Sequence, residues 1–198
     1  MRCLIACEFS GVVRRAFRAR GHEAWSCDLI PAEDSQEFHI LGDVLDVLED
    51  GWDMAICHQP CTYLCSSGLH WNSRRPGREK LTHEAMLFVL NLMGDGSIAH
   101  GIPKIALENP IGRINTAYRK PDQIIQPWQF GHPESKATCL WLKGLPKLQP
   151  TKIMTKEGKY WSNQTPTGQN KLGPSPDRWK DRSRTYEGIA AAMAEQWG

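Results

Sequence analysis

The sequence predicts an α/β domain with a mostly parallel central sheet and helices on both faces. Short apolar runs bounded by turn residues recur at residues 2–6, 23–27, 38–41, 53–57 and 102–107, as expected of strands buried on both faces. Helical patterns stand between several of them. The first run passes through a glycine turn, Phe9-Ser10-Gly11, straight into a helix. Strand and helix in alternation call for crossover connections, which make neighbouring strands parallel.

The chain has 198 residues and reads as a single domain, 1–198, in which residues 144–184 form a small, basic, loop-rich segment. Hydrophobic residues make up 40%, charged residues 23%, and the net charge is +2. These values describe an ordinary globular protein, not a disordered or strongly basic chain. No apolar run has the length of a membrane helix, and the N-terminus lacks a signal-peptide pattern. The seven cysteines are odd in number and lack a framework spacing. Reduced thiols, a cytoplasmic location and a monomer are therefore expected.

In chain order, residues 2–6 form the first strand and residues 12–21 the first helix, with Gly21 as its stop. Residues 23–27 form the second strand, closing on Asp28. A glycine turn opening a helix, then an acid at the next strand end, is the logic of a nucleotide-binding βαβ unit. The turn lets a ligand approach the backbone, and the acid accepts hydrogen bonds from ribose hydroxyls. Only Gly11 of a dinucleotide fingerprint is present, so an ordinary tight turn is the alternative. The third strand, 38–41, runs on through Gly42-Asp43-Val44 into a short helix. Asp43 suits either an adenine amino group or helix capping.

The fourth strand, 53–57, breaks at Pro60 and delivers Cys61 to the sheet edge where such folds hold ligands. A free cysteine is ordinarily a small buried hydrophobe. Its position makes Cys61 a candidate nucleophile. Residues 59–80 read as a long loop with Arg74, Arg75, Arg78 and Lys80 in its second half, a candidate lid. Thr82 is expected to cap a helix with Ala85, Met86, Val89, Leu90 and Met93 on its apolar face, ending near Gly94. The fifth strand, 102–107, ends on Glu108-Asn109-Pro110, a candidate acid beside the thiol.

Residues 123–131 and 138–142 look extended. Residues 151–184 show no periodicity and are rich in Lys and Arg, with Tyr160, Trp161 and Trp179 between them. Lys156, Lys159, Arg178 and Arg182, with Arg74, Arg75 and Arg78, are candidate phosphate contacts. A solvated loop is the alternative for the later set. Residues 185–197 form a last helix that closes the sheet.

Taken in order, these motifs resemble the cytosine-C5 DNA methyltransferases, specifically a short phage-type member. Phe9-Ser10-Gly11 is similar to that family's S-adenosylmethionine turn, Asp28 to its ribose-binding acid, and Gly42-Asp43-Val44 to its adenine-binding motif. Gln59-Pro60-Cys61 resembles the Pro-Cys nucleophile motif and Glu108-Asn109-Pro110 the Glu-Asn-Val motif. Residues 130–136, FGHPESK, are similar to Tyr-Gly-x-Pro-Gln-x-Arg, with Lys136 in place of arginine. Val13 replaces a glycine of the first motif, Thr138 stands where a second arginine is expected, and the last helix lacks a clear Gly-Asn motif. Residues 143–184 are too few for a full target-recognition region.

The resemblance implies a Rossmann-like S-adenosylmethionine-dependent methyltransferase fold, with Phe9, Ser10, Gly11, Asp28, Leu29, Asp43, Val44 and Pro60 at the cofactor. It implies double-stranded DNA as partner and methyl transfer to C5 of a flipped-out cytosine. Cys61 would add to C6, a protonated Glu108 would donate to N3, and Lys136 would sit near O2. Short or relaxed sequence specificity is expected, and no metal. Two other readings remain: a zinc site from His58, Cys61, Cys65 and His70 in a non-catalytic nucleic-acid module, or the same fold acting on a free nucleotide or transferring another group.

Overall fold

Strands that are apolar on both faces need helices on both sides, and the chain supplies them. The computed structural model describes residues 1–198. Its strands are β1 (Arg2–Ala6), β2 (Glu23–Asp28), β3 (His39–Leu41), β4 (Met54–Cys57), β5 (Lys104–Pro110), β6 (Gln123–Ile125) and β7 (Thr138–Lys143). They form one seven-stranded sheet in the order β3-β2-β1-β4-β5-β7-β6. β7 alone runs against the rest, antiparallel to both β5 and β6. The strand order reverses between β1 and β4, so the crevice outside their C-terminal ends is the place for a ligand.

The helices are α1 (Val12–Arg18), α2 (Ser66–Leu69), α3 (Arg78–Met93), α4 (Ile114–Ala117), α5 (Arg178–Ser183) and α6 (Glu187–Trp197). Alternate side chains of each strand enter opposite layers. Leu4, Ala55, Ile105 and Trp141 pack with Met86, Val89 and Leu92 of α3 on one face. Ile5, Ile56, Ala106 and Leu140 pack with Val13 and Phe17 of α1 and Ile189, Met193 and Trp197 of α6 on the other. The expected α/β fold is the one observed.

Several boundaries differ from expectation. β5 runs on through Glu108, Asn109 and Pro110 because these pair with Leu140, Cys139 and Thr138. Pro110 can close the strand because its missing N–H falls at the last pair. Residues 59–80 are not a loop throughout: α2 lies within them, and α3 begins at Arg78. Thr82 therefore caps nothing. It is buried inside α3, where its Oγ1 donates to the Tyr63 carbonyl at 3.2 Å. Of residues 123–131 only the first three are strand, and Pro127–Gln129 turn as a 3₁₀ helix.

Residues 144–184 are tied to the sheet edge by backbone bonds. The amides of Gly131 and Met154 donate to the carbonyls of Lys152 (2.8 Å) and Trp128 (2.7 Å). Asn163 binds the Ser135 backbone in both directions. No helix of the structure is long and apolar enough to cross a membrane. All seven cysteines are free.

Candidate active site

The chain leaves β1 at Cys7, whose φ of 57° turns it sharply. Glu8 follows, 4% exposed, and its carboxylate accepts the amides of Val13 (2.7 Å) and Arg14 (3.2 Å) at the start of α1. Burial raises its pKa, against the pull of His58, those two amides and Arg14. The helix terminus that a dinucleotide fold offers to a pyrophosphate is thus already taken by a side-chain anion. Gly11, at φ 68°, carries the turn. Ser10 is buried and its hydroxyl donates to Glu8. Phe9 lies under the Trp179 ring at 5.4 Å.

Asp28 closes β2, and its Oδ1 accepts the Ile30 amide at 3.2 Å. Burial raises its pKa. Leu29 beside it is 74% exposed, an apolar surface at the rim of the crevice. The connection behind them is fixed by a network that sequence reasoning missed. Arg14, 2% exposed, reaches from α1 to Asp34, to Ser26 Oγ (2.8 Å) and to the Ser35 carbonyl (3.2 Å). Ser26 in turn holds His39 Nδ1 at 2.8 Å. Asp43 caps the short 3₁₀ turn after β3 by accepting from the Leu45 amide at 3.0 Å. Val44 does not face the crevice: it is 3% exposed and belongs to the core.

Pro60 is exposed at the exit of β4 and Cys61 is half-buried. The loop behind Cys61 is clamped to the exit of β5. The Arg113 amide donates to the Leu64 carbonyl at 2.7 Å, and Cys65 bridges to Gly112. A Cβ at Gly112 would stand 1.9 Å from that carbonyl, so only glycine permits the approach. Cys61 and Cys65 form a coupled thiol pair. The neighbouring Cys65 thiol and burial push Cys61 up. The neighbouring Cys61 thiol, the Ser67 hydroxyl and the Gly68 amide favour the Cys65 thiolate.

His58, which the sequence offered only as a zinc ligand, places Nδ1 2.8 Å from Glu108 Oε2. Gln59 adds a second clip, its Nε2 donating to the Glu108 carbonyl (2.9 Å) and to Asn109 Oδ1 (3.2 Å). Burial alone would raise the Glu108 pKa, but the His58 hydrogen bond and the His58 and Lys136 charges hold it below its ordinary value. These groups favour the Glu108 carboxylate in the free protein, whereas the sequence resemblance implied a protonated Glu108. Lys136 Nζ donates to the Arg182 carbonyl at 2.8 Å and lies 5.8 Å from the Tyr186 ring centre. Glu108, Lys136, Thr138, Thr185, Tyr186, Ile189 and Met193 line a crevice of only about 10 Å³. A wider hollow of about 340 Å³ lies at the opposite end of the sheet, beside Ile105, Arg119 and Lys143, away from these groups.

The predicted basic residues divide into two kinds. Arg74 and Arg75 are exposed and flank the Trp71 ring, while Lys156 and Lys159 are exposed beside Trp161 and Tyr160. Arg182 is exposed, and Arg178 is half-buried with an unpartnered Nε. Arg78 instead serves the fold, donating to the Thr62 carbonyl at 3.1 Å from the start of α3. The zinc reading finds no support: no group of three or more His, Cys, Asp or Glu side chains is placed to hold an ion, and His58 is committed to Glu108.

No family model and no curated protein matches the chain. Among solved structures it is similar to the Entamoeba histolytica methyltransferase EhMeth, at 12% identity and a TM-score of 0.49, over 77% of this chain and 57% of that one. It is also similar to a mutant DNMT2 of Spodoptera frugiperda, at 15% identity and a TM-score of 0.46, over 80% of this chain and 55% of that one. The chain thus spans a little over half the length of either.

Proposed function

We propose that this protein transfers a methyl group from S-adenosylmethionine to C5 of cytosine in double-stranded DNA. The observation that carries the proposal is the gathering of Cys61, Glu108 and Lys136 at the C-terminal edge of β4 and β5, next to the Phe9–Gly11 turn at the switch point. The crevice suits a phosphate-free nucleoside: Glu8 repels a pyrophosphate from α1, while Asp28 and Asp43 can accept from ribose and adenine over the apolar face of Leu29. S-adenosylmethionine meets that description, and its chemistry there is to offer an electrophilic methyl.

Cytosine C5 is too weak a nucleophile to take that methyl unaided. Addition of Cys61 Sγ to C6 makes the ring an enamine and gives C5 the electron density it needs. Charge then builds at O2, beside Lys136, and at N3, where a proton presented by Glu108 would answer it. Once C5 carries the methyl, a base removes the C5 proton and the Cys61–C6 bond breaks. No stacked base reaches these groups, so the nucleotide leaves the helix. The 10 Å³ crevice must widen to admit it, by displacement of the Lys136–Arg182 contact. Arg74, Arg75, Lys156, Lys159, Arg178 and Arg182 supply cations for the phosphates around the flipped base.

The test is incubation with labelled S-adenosylmethionine and either duplex DNA or free cytidine nucleotides, followed by nucleoside mass spectrometry. Labelled 5-methylcytosine in the DNA arm is the expected result. Label confined to the nucleotide arm, on another base, or absent from both overturns the proposal.

A further inference from the structure

A carboxylate accepts hydrogen bonds, yet attack at C6 calls for a donor at N3, and Glu108 in the free protein is an anion. The missing proton has a source within reach. His58 Nδ1 stands 2.8 Å from Glu108 Oε2, with the two side chains 7% and 13% exposed. The same imidazole faces Glu8 at the exit of β1 and favours its carboxylate. From the β6–β7 connection the Lys136 ammonium acts on Glu108, and the Glu108 charge in turn raises the Cys61 thiol in its loop. The second ring nitrogen, Nε2, is buried without a partner.

We infer that His58 is a positioning residue that supplies, through Glu108, the proton presented to the base. The inference rests on the cytosine reading above. The ring acts in its doubly protonated form. When a base fills the crevice and water leaves, an ion pair loses more solvation than a neutral pair does. The Nδ1–H bond then breaks and an O–H bond forms on Glu108, leaving a neutral imidazole beside a carboxylic acid. As the Cys61 Sγ–C6 bond forms, the ring's electron pair moves to N3 and takes the proton from Glu108. When the adduct collapses, the proton returns by the same path, so the pair ends with the protons it began with. Glu108 is thus an acid only while a substrate is seated.

His58→Gln and His58→Asn test this, since an amide N–H keeps the bond to Glu108 but has no proton to give. The expected loss in kcat near neutral pH is about 100-fold or more. KM for cofactor and DNA should stay within a few-fold. The residual rate should climb as pH falls, because Glu108 must then take its proton from solvent. Wild-type kcat and an unchanged pH profile in these variants overturn the inference, as does an equal loss at every pH together with lost cofactor affinity. A wild-type measurement stands beside them: covalent trapping on DNA carrying 5-fluorocytosine should slow at high pH once the pair has lost its proton. A trapping rate that only climbs with pH overturns the inference. A wild type that makes no 5-methylcytosine at all instead fells the methyl-transfer reading, and this inference with it.

Discussion

Two thiols four residues apart leave β4 together, and they differ in their surroundings. Cys65 has the Ser67 hydroxyl 3.3 Å away and the Gly68 amide beside it, both favouring its thiolate. Cys61 is pushed up by the neighbouring Cys65 thiol, by burial and by the nearby Glu108 charge. Replacing Cys61 by alanine should abolish transfer and leave cofactor affinity intact, since the thiol meets the base and not the methyl donor. Cys65→Ala should keep most activity. It should also move the acidic limb of the rate to lower pH, because the neighbour that raises Cys61 is gone. Rate profiles and calorimetric titrations of both variants check this, and a dead Cys65→Ala reverses the assignment. Cys61, Asp28 and Glu108 could be read from the sequence because each stands at or just past an apolar run. His58, Glu8 and Arg14 could not. What distinguishes His58 is a partner 50 positions away, and a lone histidine before Gln-Pro carries no mark of it.

At the scale of elements, the least legible piece is α5. Six residues hold under two helical turns, too few for a period to show, and its contacts are distant in sequence. Trp179 covers Phe9, and Arg184 just beyond α5 grips Glu33 through bonds of 2.8 and 3.0 Å. The Arg182 carbonyl holds Lys136. The segment therefore straps the Phe9–Gly11 turn to the crevice beside Glu108 and Lys136, where sequence alone suggested a loop. Because the crevice is too narrow for a base, the strap has to yield. Arg184→Ala removes one tie. The Arg184 side chain is 45% exposed, so the loss in global stability should stay below about 1 kcal/mol. Cleavage within 170–184 under limited proteolysis should accelerate severalfold, and saturating cofactor should slow it again. Unchanged cleavage in the variant would mean that the strap is held by other contacts.

For the whole molecule, the sheet order was legible in outline because alternating strands and helices leave few topologies. The antiparallel β7 was not, since an extended run does not announce its direction. Stability has its own signature in the Arg14–Asp34 pair. Burial is the largest single influence on Asp34 and raises its pKa. The hydrogen bonds of Arg14, Arg15 and the Ser35 amide, with the Arg14 charge, together outweigh it and lower the value from 3.8 to about 2. A carboxylate lowered on folding adds stability that is complete above its unfolded value and lost as pH falls through the folded one. Wild-type stability should thus decline between about pH 4 and pH 2. Asp34→Asn should be less stable at neutral pH and lack that part of the decline, as read from denaturant midpoints across pH.

Target choice follows from how the chain spends residues 144–184. Reading a base pair takes hydrogen-bonding side chains held rigidly at the groove. In this segment the rigid parts already serve the protein itself: Asn163 binds Ser135, Arg184 binds Glu33, and Trp161 stacks on Trp128 at 5.8 Å. Lys156, Lys159 and Arg182 remain exposed, and cations on mobile stems hold phosphates without reading sequence. Methylation should therefore follow a recognition sequence of one or two bases next to the target, with affinity falling steeply as salt rises. Bisulfite sequencing of a methylated plasmid measures the first and a salt titration of binding the second. A single site of four or more specified bases would require base-reading groups that residues 144–184 do not present, and so a partner subunit to supply them.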